Sequence, residues 1–196
     1  MRWMTQIALS CAFAASCTTA NALPIVNLVP TSASVTEGTA ARVDVLVSGL
    51  EDEFIGAYDL TLGWDASLLS LDAVTFDTFL DGPLDSLNGF ETVAGALSIF
   101  EISLAGLTNQ AGLSEFRLFS LDFSTLSAGL AALSLSGDTQ ILSNEFGVEY
   151  EGFGIRSTSL QITAVTEPPT SVPEPASVSL LLIGLAGTLG LRRRRA

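Results

Sequence analysis

The sequence predicts an all-β fold, an antiparallel two-sheet sandwich or jelly roll of about nine strands. From Pro24 to about Val165, short apolar alternations are broken by Gly, Asp, Asn and Ser, which is typical of half-buried strands and turns. The longest apolar runs lie in the first 22 residues and in residues 176–191. Because 196 residues leave room for one ordinary domain between such ends, we expect a single β domain over residues 23–165.

The N-terminus has the pattern of a signal peptide over residues 1–22. Arg2 supplies a positive charge, residues 7–15 are apolar, and Ala20 and Ala22 form a small-x-small cleavage site. An alternative is a lipoprotein leader ending at Cys17, although its lipobox has alanine where leucine is usual. A leader of either kind predicts export.

Two segments show the strand alternation most clearly. Residues 41–47 place three valines on one face, and residues 57–64 place Tyr58 and Trp64 on the same face as two leucines. We therefore expect both aromatic side chains in the core. Further strands are predicted at residues 96–104, 116–123, 131–135, 139–142 and 155–163.

Composition excludes several functions. All 21 acidic residues lie between the two ends, where only Arg42, Arg117 and Arg156 are basic, so that region carries 3 minus 21, or 18 negative charges. Such a surface repels phosphate, which excludes nucleic acid as a partner. The chain has no histidine, and Cys11 and Cys17 fall in the leader, so catalytic triads, zinc sites and thiol chemistry are excluded from the mature domain.

The C-terminus has three parts in order. A proline-rich linker, residues 166–175, ends in Pro173, Glu174 and Pro175, and an apolar segment follows at residues 176–191. The prolines keep the motif extended, and sixteen helical residues span about 24 Å, somewhat short of a bilayer core of about 30 Å. The last residues, 192–196, begin with a cluster predicted to stop transfer and remain cytoplasmic. This cluster is Arg192, Arg193, Arg194 and Arg195.

These residues resemble the PEP-CTERM sorting signal of Gram-negative bacteria that make exopolysaccharide. The resemblance implies that an exosortase recognises Pro173, Glu174 and Pro175 and cleaves nearby. It also implies export through the inner membrane, a transient membrane anchor, and a final place at the cell surface or in the extracellular matrix. The alternative is a plain C-terminal anchor on a proline-rich stalk.

A second resemblance covers the domain. Residues 34–38 (SVTEG), the strand and turn of 55–69, and residues 118–123 (LFSLDF) look like the corresponding elements of cohesin-type and related carbohydrate-binding sandwiches. The resemblance implies the fold. Cohesins of cellulosomes bind dockerins through one sheet face, and that partner is not carried over to this chain.

The chemistry left to the domain is that of carboxylates. Calcium prefers such oxygen ligands, and the candidate loops are residues 51–53 and the group Asp77, Asp81 and Asp85. Neither matches an EF-hand, and a solvated charge run explains both, so no metal ligand and no cofactor are assigned. Core packing is expected for most of the remaining aromatic side chains, among them Phe90, Phe100, Phe146 and Phe153.

Three functional hypotheses remain. The first is a non-enzymatic surface or matrix protein that binds or supports exopolysaccharide or other surface proteins. The alternative is a calcium-dependent carbohydrate-binding module, and the third is a glycoside-active enzyme. The predicted partners are an exosortase, the inner membrane before processing, and exopolysaccharide or other surface proteins.

Overall fold

A computed structural model describes residues 23–50, 53–80, 85–104 and 106–166. The chain divides into two compact units, residues 1–163 and 164–196, and every described strand belongs to the first. Within the described ranges the chain forms eleven strands and one 3-10 helix, Thr108–Gln110. The strands are β1 (Ile25–Pro30), β2 (Ser34–Thr36), β3 (Ala40–Ser48), β4 (Ile55–Trp64), β5 (Leu69–Phe76), β6 (Ser86–Val93), β7 (Ala96–Ser103), β8 (Glu115–Thr125), β9 (Gly129–Asn144), β10 (Gly154–Arg156) and β11 (Thr158–Thr163).

The strands form two sheets, as the sequence predicts. Sheet one has the order β10-β1-β3-β8-β5, and sheet two has the order β2-β11-β9-β4-β7-β6. Nearly all neighbours are antiparallel, but β1 pairs with β10 and β2 pairs with β11 in parallel. The predicted all-β sandwich is confirmed, with two short parallel pairs at its edges.

Strand alternation explains the core. In β3 and β4 every second side chain is buried, and the residues between them face outward, because successive side chains of a strand point to opposite faces. Tyr58 is 1% exposed and stacks on Phe119, while Trp64 packs edge-on against Phe123. Both aromatic predictions are confirmed.

The described domain contains a complete hydrophobic core. The cluster of buried apolar residues begins at Val26 and ends at Ile162, so both layers of the sandwich are supplied by residues 23–163. Burial of apolar surface is the main favourable term in folding, and a segment with its own core folds as a unit. Residues 23–166 are therefore sufficient for experiments on the domain.

No helix in the described ranges is long and apolar enough to cross a membrane. The predicted signal peptide, most of the linker, the apolar segment 176–191 and the arginine cluster lie outside those ranges.

Candidate binding face on sheet two

The outer face of β9, β4, β7 and β6 is the candidate functional site. Antiparallel register aligns the outward side chains in rows across these strands. One row runs from Leu87 through Ile102 to Ala57, and the next runs from Gly89 through Phe100 to Asp59. Side chains in one row lie about 5 Å apart and contact each other, so the rows form a continuous surface.

An apolar patch, defined as Leu87, Phe100 and Ile102, occupies this face. Their side chains are 54%, 37% and 42% exposed respectively. Glu101, between two of them in sequence, points into the sandwich instead, because alternation along β7 buries residues 97, 99 and 101. Three large apolar groups exposed side by side make a patch that is unusual for a solvated surface.

Gly89 lies opposite Phe100 on β6 and leaves room for its ring. A Cβ atom added to Gly89 would come within 3.0 Å of the ring of Phe100, so the ring would have to move by a few tenths of an ångström. The ring therefore lies close to the backbone of β6, and a larger residue at position 89 would displace it.

Asp59 places a carboxylate next to this ring. It is directly opposite Phe100 on one side and Ile141 of β9 on the other. Among the ion pairs of the described residues, none involves Asp59. One row further, the hydroxyl oxygens of Thr61 and Ser98 are 3.2 Å apart and hydrogen-bond to each other. The face thus combines apolar groups with a few fixed polar groups, as binding sites do.

A pocket of about 460 Å³ opens at the end of the apolar patch and shares Ala57 and Ile102 with the outer face. Its far wall includes Leu107 and Thr108 at the start of the 3-10 helix. A volume in this range accommodates one or two apolar side chains of a ligand. The described residues that line it are Phe54, Gly56, Ala57, Ile102, Ser103, Gly106, Leu107, Thr108, Ala111, Asn144, Glu145 and Gly147.

Gln110 fixes this wall to the sheet. Its side chain is 2% exposed, its Oε1 accepts from the backbone N–H of Ile55 at 2.8 Å, and its Nε2 donates to the carbonyl oxygen of Ile55 at 2.9 Å. The same Nε2 also donates to the carbonyl oxygen of Phe79 at 2.9 Å. A buried amide with all these bonds made is costly to displace, so the pocket is built into the fold.

The outer face of sheet one is different, because it is charged and internally paired. Arg42 binds Asp122 through two hydrogen bonds of 2.8 and 2.7 Å, and these bonds lower the pKa of the Asp122 carboxyl. Arg117 binds Asp77 at 2.7 Å and lies 3.6 Å from Asp44. Both arginines of this face are thus already bound to carboxylates of the chain, whereas the apolar patch on sheet two remains open.

A buried carboxyl lies inside sheet two, beneath this face. Glu101 is 1% exposed and accepts hydrogen bonds from the hydroxyls of Tyr58 at 3.0 Å and Ser86 at 2.8 Å. Burial raises the pKa of Glu101 above its ordinary value, and hydrogen bonds from Ser86, Tyr58 and Asn88 oppose that shift because they favour the charged form. The pKa of Tyr58 is also raised, chiefly by burial.

Most of the described aromatic side chains lie in the core or pack against it, as the sequence predicts. Phe153 is half-buried and packs on the core. Phe90, Phe100 and Phe146 are exposed, the last by 80%, so the expectation is wrong for these three. Phe100 lies in the outward phase of β7, and Phe90 lies on the edge strand β6, which only the strand register reveals.

The candidate calcium loops receive no support. Of their residues, 51, 52 and 81 lie outside the described ranges. Asp77 is bound to Arg117, and no group of three or more acidic residues in the described part of the chain could hold a metal ion.

The predicted sorting and cleavage residues lie outside the described ranges. These are Ala20, Ala22, Pro173, Glu174, Pro175, Arg192, Arg193, Arg194 and Arg195.

Comparison with known proteins gives one match in the sequence and many in the fold. Residues 171–195 match the PEP-CTERM protein-sorting motif. No curated protein matches the chain. Among solved structures, a cohesin module from a family 33 glycoside hydrolase of Clostridium perfringens has a TM-score of 0.59 at 15% identity, covering 73% of this chain and 98% of that one.

Two further structures have the same fold. A type I cohesin of Clostridium thermocellum, solved in complex with a dockerin, has a TM-score of 0.58 at 12% identity, covering 71% of this chain and 99% of its own. A non-cellulosomal cohesin of Archaeoglobus fulgidus has a TM-score of 0.55 at 15% identity, covering 70% of this chain and 91% of its own.

This chain carries a PEP-CTERM sorting signal and a cohesin-like domain. The PEP-CTERM signal implies export, a transient membrane anchor and processing by an exosortase.

Proposed function

We propose that this PEP-CTERM protein is a non-enzymatic binding module that holds a partner protein on the outer face of sheet two. One observation carries the proposal: the apolar patch leads into a preformed pocket on a domain whose opposite face is charged and internally paired. Contiguous apolar surface with a polar rim is characteristic of sites that bind proteins.

The chemistry of the face defines the partner. The pocket takes an apolar side chain, and the carboxylate of Asp59 accepts hydrogen bonds from a donor placed beside it. A cohesin with this fold binds a dockerin in the Clostridium thermocellum complex, which supports the use of the fold for attachment. We infer a partner that presents apolar and hydrogen-bond donor groups together, from the cell surface or the exopolysaccharide layer.

Delivery follows from the two chain ends. In our proposal the signal peptide, residues 1–22, is removed after Ala22, and residues 176–191 hold the exported chain in the inner membrane with the arginine cluster in the cytoplasm. An exosortase then recognises Pro173, Glu174 and Pro175 in the linker and releases or transfers the domain to the cell surface or matrix.

Sorting is tested by changing one charge in the native host. Glu174→Gln removes the only charge of the Pro-Glu-Pro motif, and we expect the unprocessed chain to accumulate in the inner membrane. Glu167→Gln, a matched change seven residues upstream, should be processed normally. Immunoblots of membrane and surface fractions measure both. Normal processing of the Glu174 variant would exclude this role for the motif.

Binding is tested with the domain, residues 23–166, immobilised and exposed to envelope and matrix proteins of the source bacterium. Ile102→Lys places a charge between the patch and the pocket, and we expect affinity for the retained protein to fall by about tenfold or more, because buried unpaired charges are costly. Leu130→Lys, on the same sheet and 62% exposed, is the matched control. Equal retention by both variants would locate binding elsewhere.

The same variants separate a protein partner from exopolysaccharide. Extracted polysaccharide is titrated into wild-type domain and into the Ile102→Lys variant by calorimetry. If polysaccharide releases heat on binding to the wild type but not to the variant, the partner on this face is a glycan and the proposed protein partner is wrong. No heat with polysaccharide, together with protein retention, supports the proposal as stated.

A further inference from the structure

The two sheets have four edge strands in the part of the chain that the structure describes, and three of them are poor templates for pairing. β2 and β10 contain only three residues each, and the pairing of β5 with β8 shifts register between Leu71 and Ala73. Short strands and bulges are the devices by which proteins protect sheet edges.

β6 has none of these protections. Its register with β7 is unbroken from Ser86 to Val93, it contains no proline, and Glu91 is its only charged residue. Three of its apolar side chains are strongly exposed, with Val93 at 70%. A long, regular and apolar edge of this kind is available to a further strand.

The hydrogen-bond phase of β6 shows which backbone groups are available. The N–H of Leu104 donates to the carbonyl oxygen of Asp85 at 2.8 Å, next to the β6–β7 ladder. Because backbone groups in an antiparallel strand alternate in direction, residues 87, 89, 91 and 93 direct theirs towards β7. The N–H and C=O groups of Asn88, Phe90 and Thr92 therefore point to the free edge.

We propose that β6 pairs antiparallel with β6 of a second copy of this chain, about a two-fold axis at Phe90. This register places Phe90 opposite itself and Leu87 opposite Val93 of the second copy, so each exposed apolar side chain of the strand meets another. It also uses the hydrogen-bonding groups of Asn88, Phe90 and Thr92. Cross-strand apolar and aromatic pairs of this kind stabilise a sheet.

Charge distinguishes this register from its neighbours. With the axis at Phe90, Glu91 lies opposite Gly89 of the second copy, and the Cα atoms of the two glutamates are about 8 Å apart, close to the screening length in physiological salt. With the axis at Glu91 the two carboxylates would face each other directly. With the axis at Gly89, the carboxylate of Glu91 would face the apolar side chain of Leu87, which does not pair with it.

The register is tested by single-cysteine cross-linking of residues 23–166, which contain no native cysteine. In the Phe90→Cys variant the two Cα atoms would be about 5.5 Å apart, within the range of a disulfide. We expect a covalent dimer on oxidation. Thr92→Cys is the matched control. In the proposed dimer its two cysteines would lie four residues out of register, so this variant should not cross-link. Equal cross-linking of both variants, or of neither, would overturn the proposal.

A second measurement does not depend on cysteine chemistry. Thr92→Pro removes an N–H that points to the free edge and none that bonds to β7, so the fold is retained. Sedimentation of the wild type should show a monomer–dimer equilibrium, and the variant should raise the dissociation constant about tenfold or more with its melting temperature nearly unchanged. A wild-type domain that stays monomeric into the millimolar range would contradict the proposal.

Discussion

Replacing Tyr58 by phenylalanine should destabilise the domain through one buried hydrogen bond. The change keeps the ring that stacks on Phe119 at 5.6 Å and removes only the hydroxyl that donates to Glu101. A hydrogen bond to a charged group contributes about 1.5–3 kcal/mol, and the Glu101 side chain is buried away from the solvent. At about 3–4 °C per kcal/mol for a domain of this size, the melting temperature should fall by about 5–12 °C at neutral pH.

The loss should become smaller as the pH falls. Burial raises the pKa of Glu101, so the folded domain binds a proton there more tightly than the unfolded chain does. The contribution of Glu101 to stability is therefore fully present below its unfolded pKa, about 4.3, and is lost as the pH rises through its folded pKa. Once the carboxyl is neutral, the missing bond is worth only about 1 kcal/mol.

Thermal or urea unfolding of residues 23–166, followed by circular dichroism across this pH range, measures both effects. The matched control is Tyr150→Phe, because the hydroxyl of Tyr150 donates to the carbonyl oxygen of Phe54 at a longer 3.3 Å and the residue is only half-buried. The control should lose less stability, because its bond is longer and lies nearer the solvent. A Tyr58 variant no weaker than the control, or one whose deficit grows in acid, would refute this reasoning.

Two further predictions concern the same strands. For Glu101→Gln, we compare the free energy of unfolding of the variant with that of the wild type at neutral pH and near pH 5. The difference should favour the variant more at neutral pH, because glutamine removes the cost of a buried charge. Unfolding curves of both proteins at the two pH values measure it. Leu60→Ala should cost about 2–5 kcal/mol because Leu60 is fully buried. Thr61→Ala, one residue further and facing outward, should cost less than about 1 kcal/mol; similar losses would contradict the strand phase.

The strongly alternating parts of the fold could be predicted from the sequence. β3 and β4 have one face in the core and one in water, so their period of two is visible. The stretches predicted at residues 131–135 and 139–142 are one strand, β9, because Gly137 has a φ of +121° and accommodates an irregularity that resembles a turn. The stretch predicted at 155–163 is two strands, β10 and β11, in different sheets.

The candidate site could not be predicted in the same way. In β7 both faces carry apolar residues, so the sequence does not show that Phe100 points out while Glu101 points in. That phase is decided by the long-range register with β4 and β6. The wall of the pocket depends on Gln110, whose hydrogen bonds reach residues 55 positions away in the sequence.

The position of Phe100 over Gly89 has a consequence for selectivity. Contact with the backbone of β6 excludes some orientations of the ring before a ligand binds, and ordering a side chain on binding costs about 0.5–1.5 kcal/mol. Part of that cost is therefore met when the domain folds. The glycine on β6 thus favours a face that binds few ligands, each by shape, over one that adapts to many.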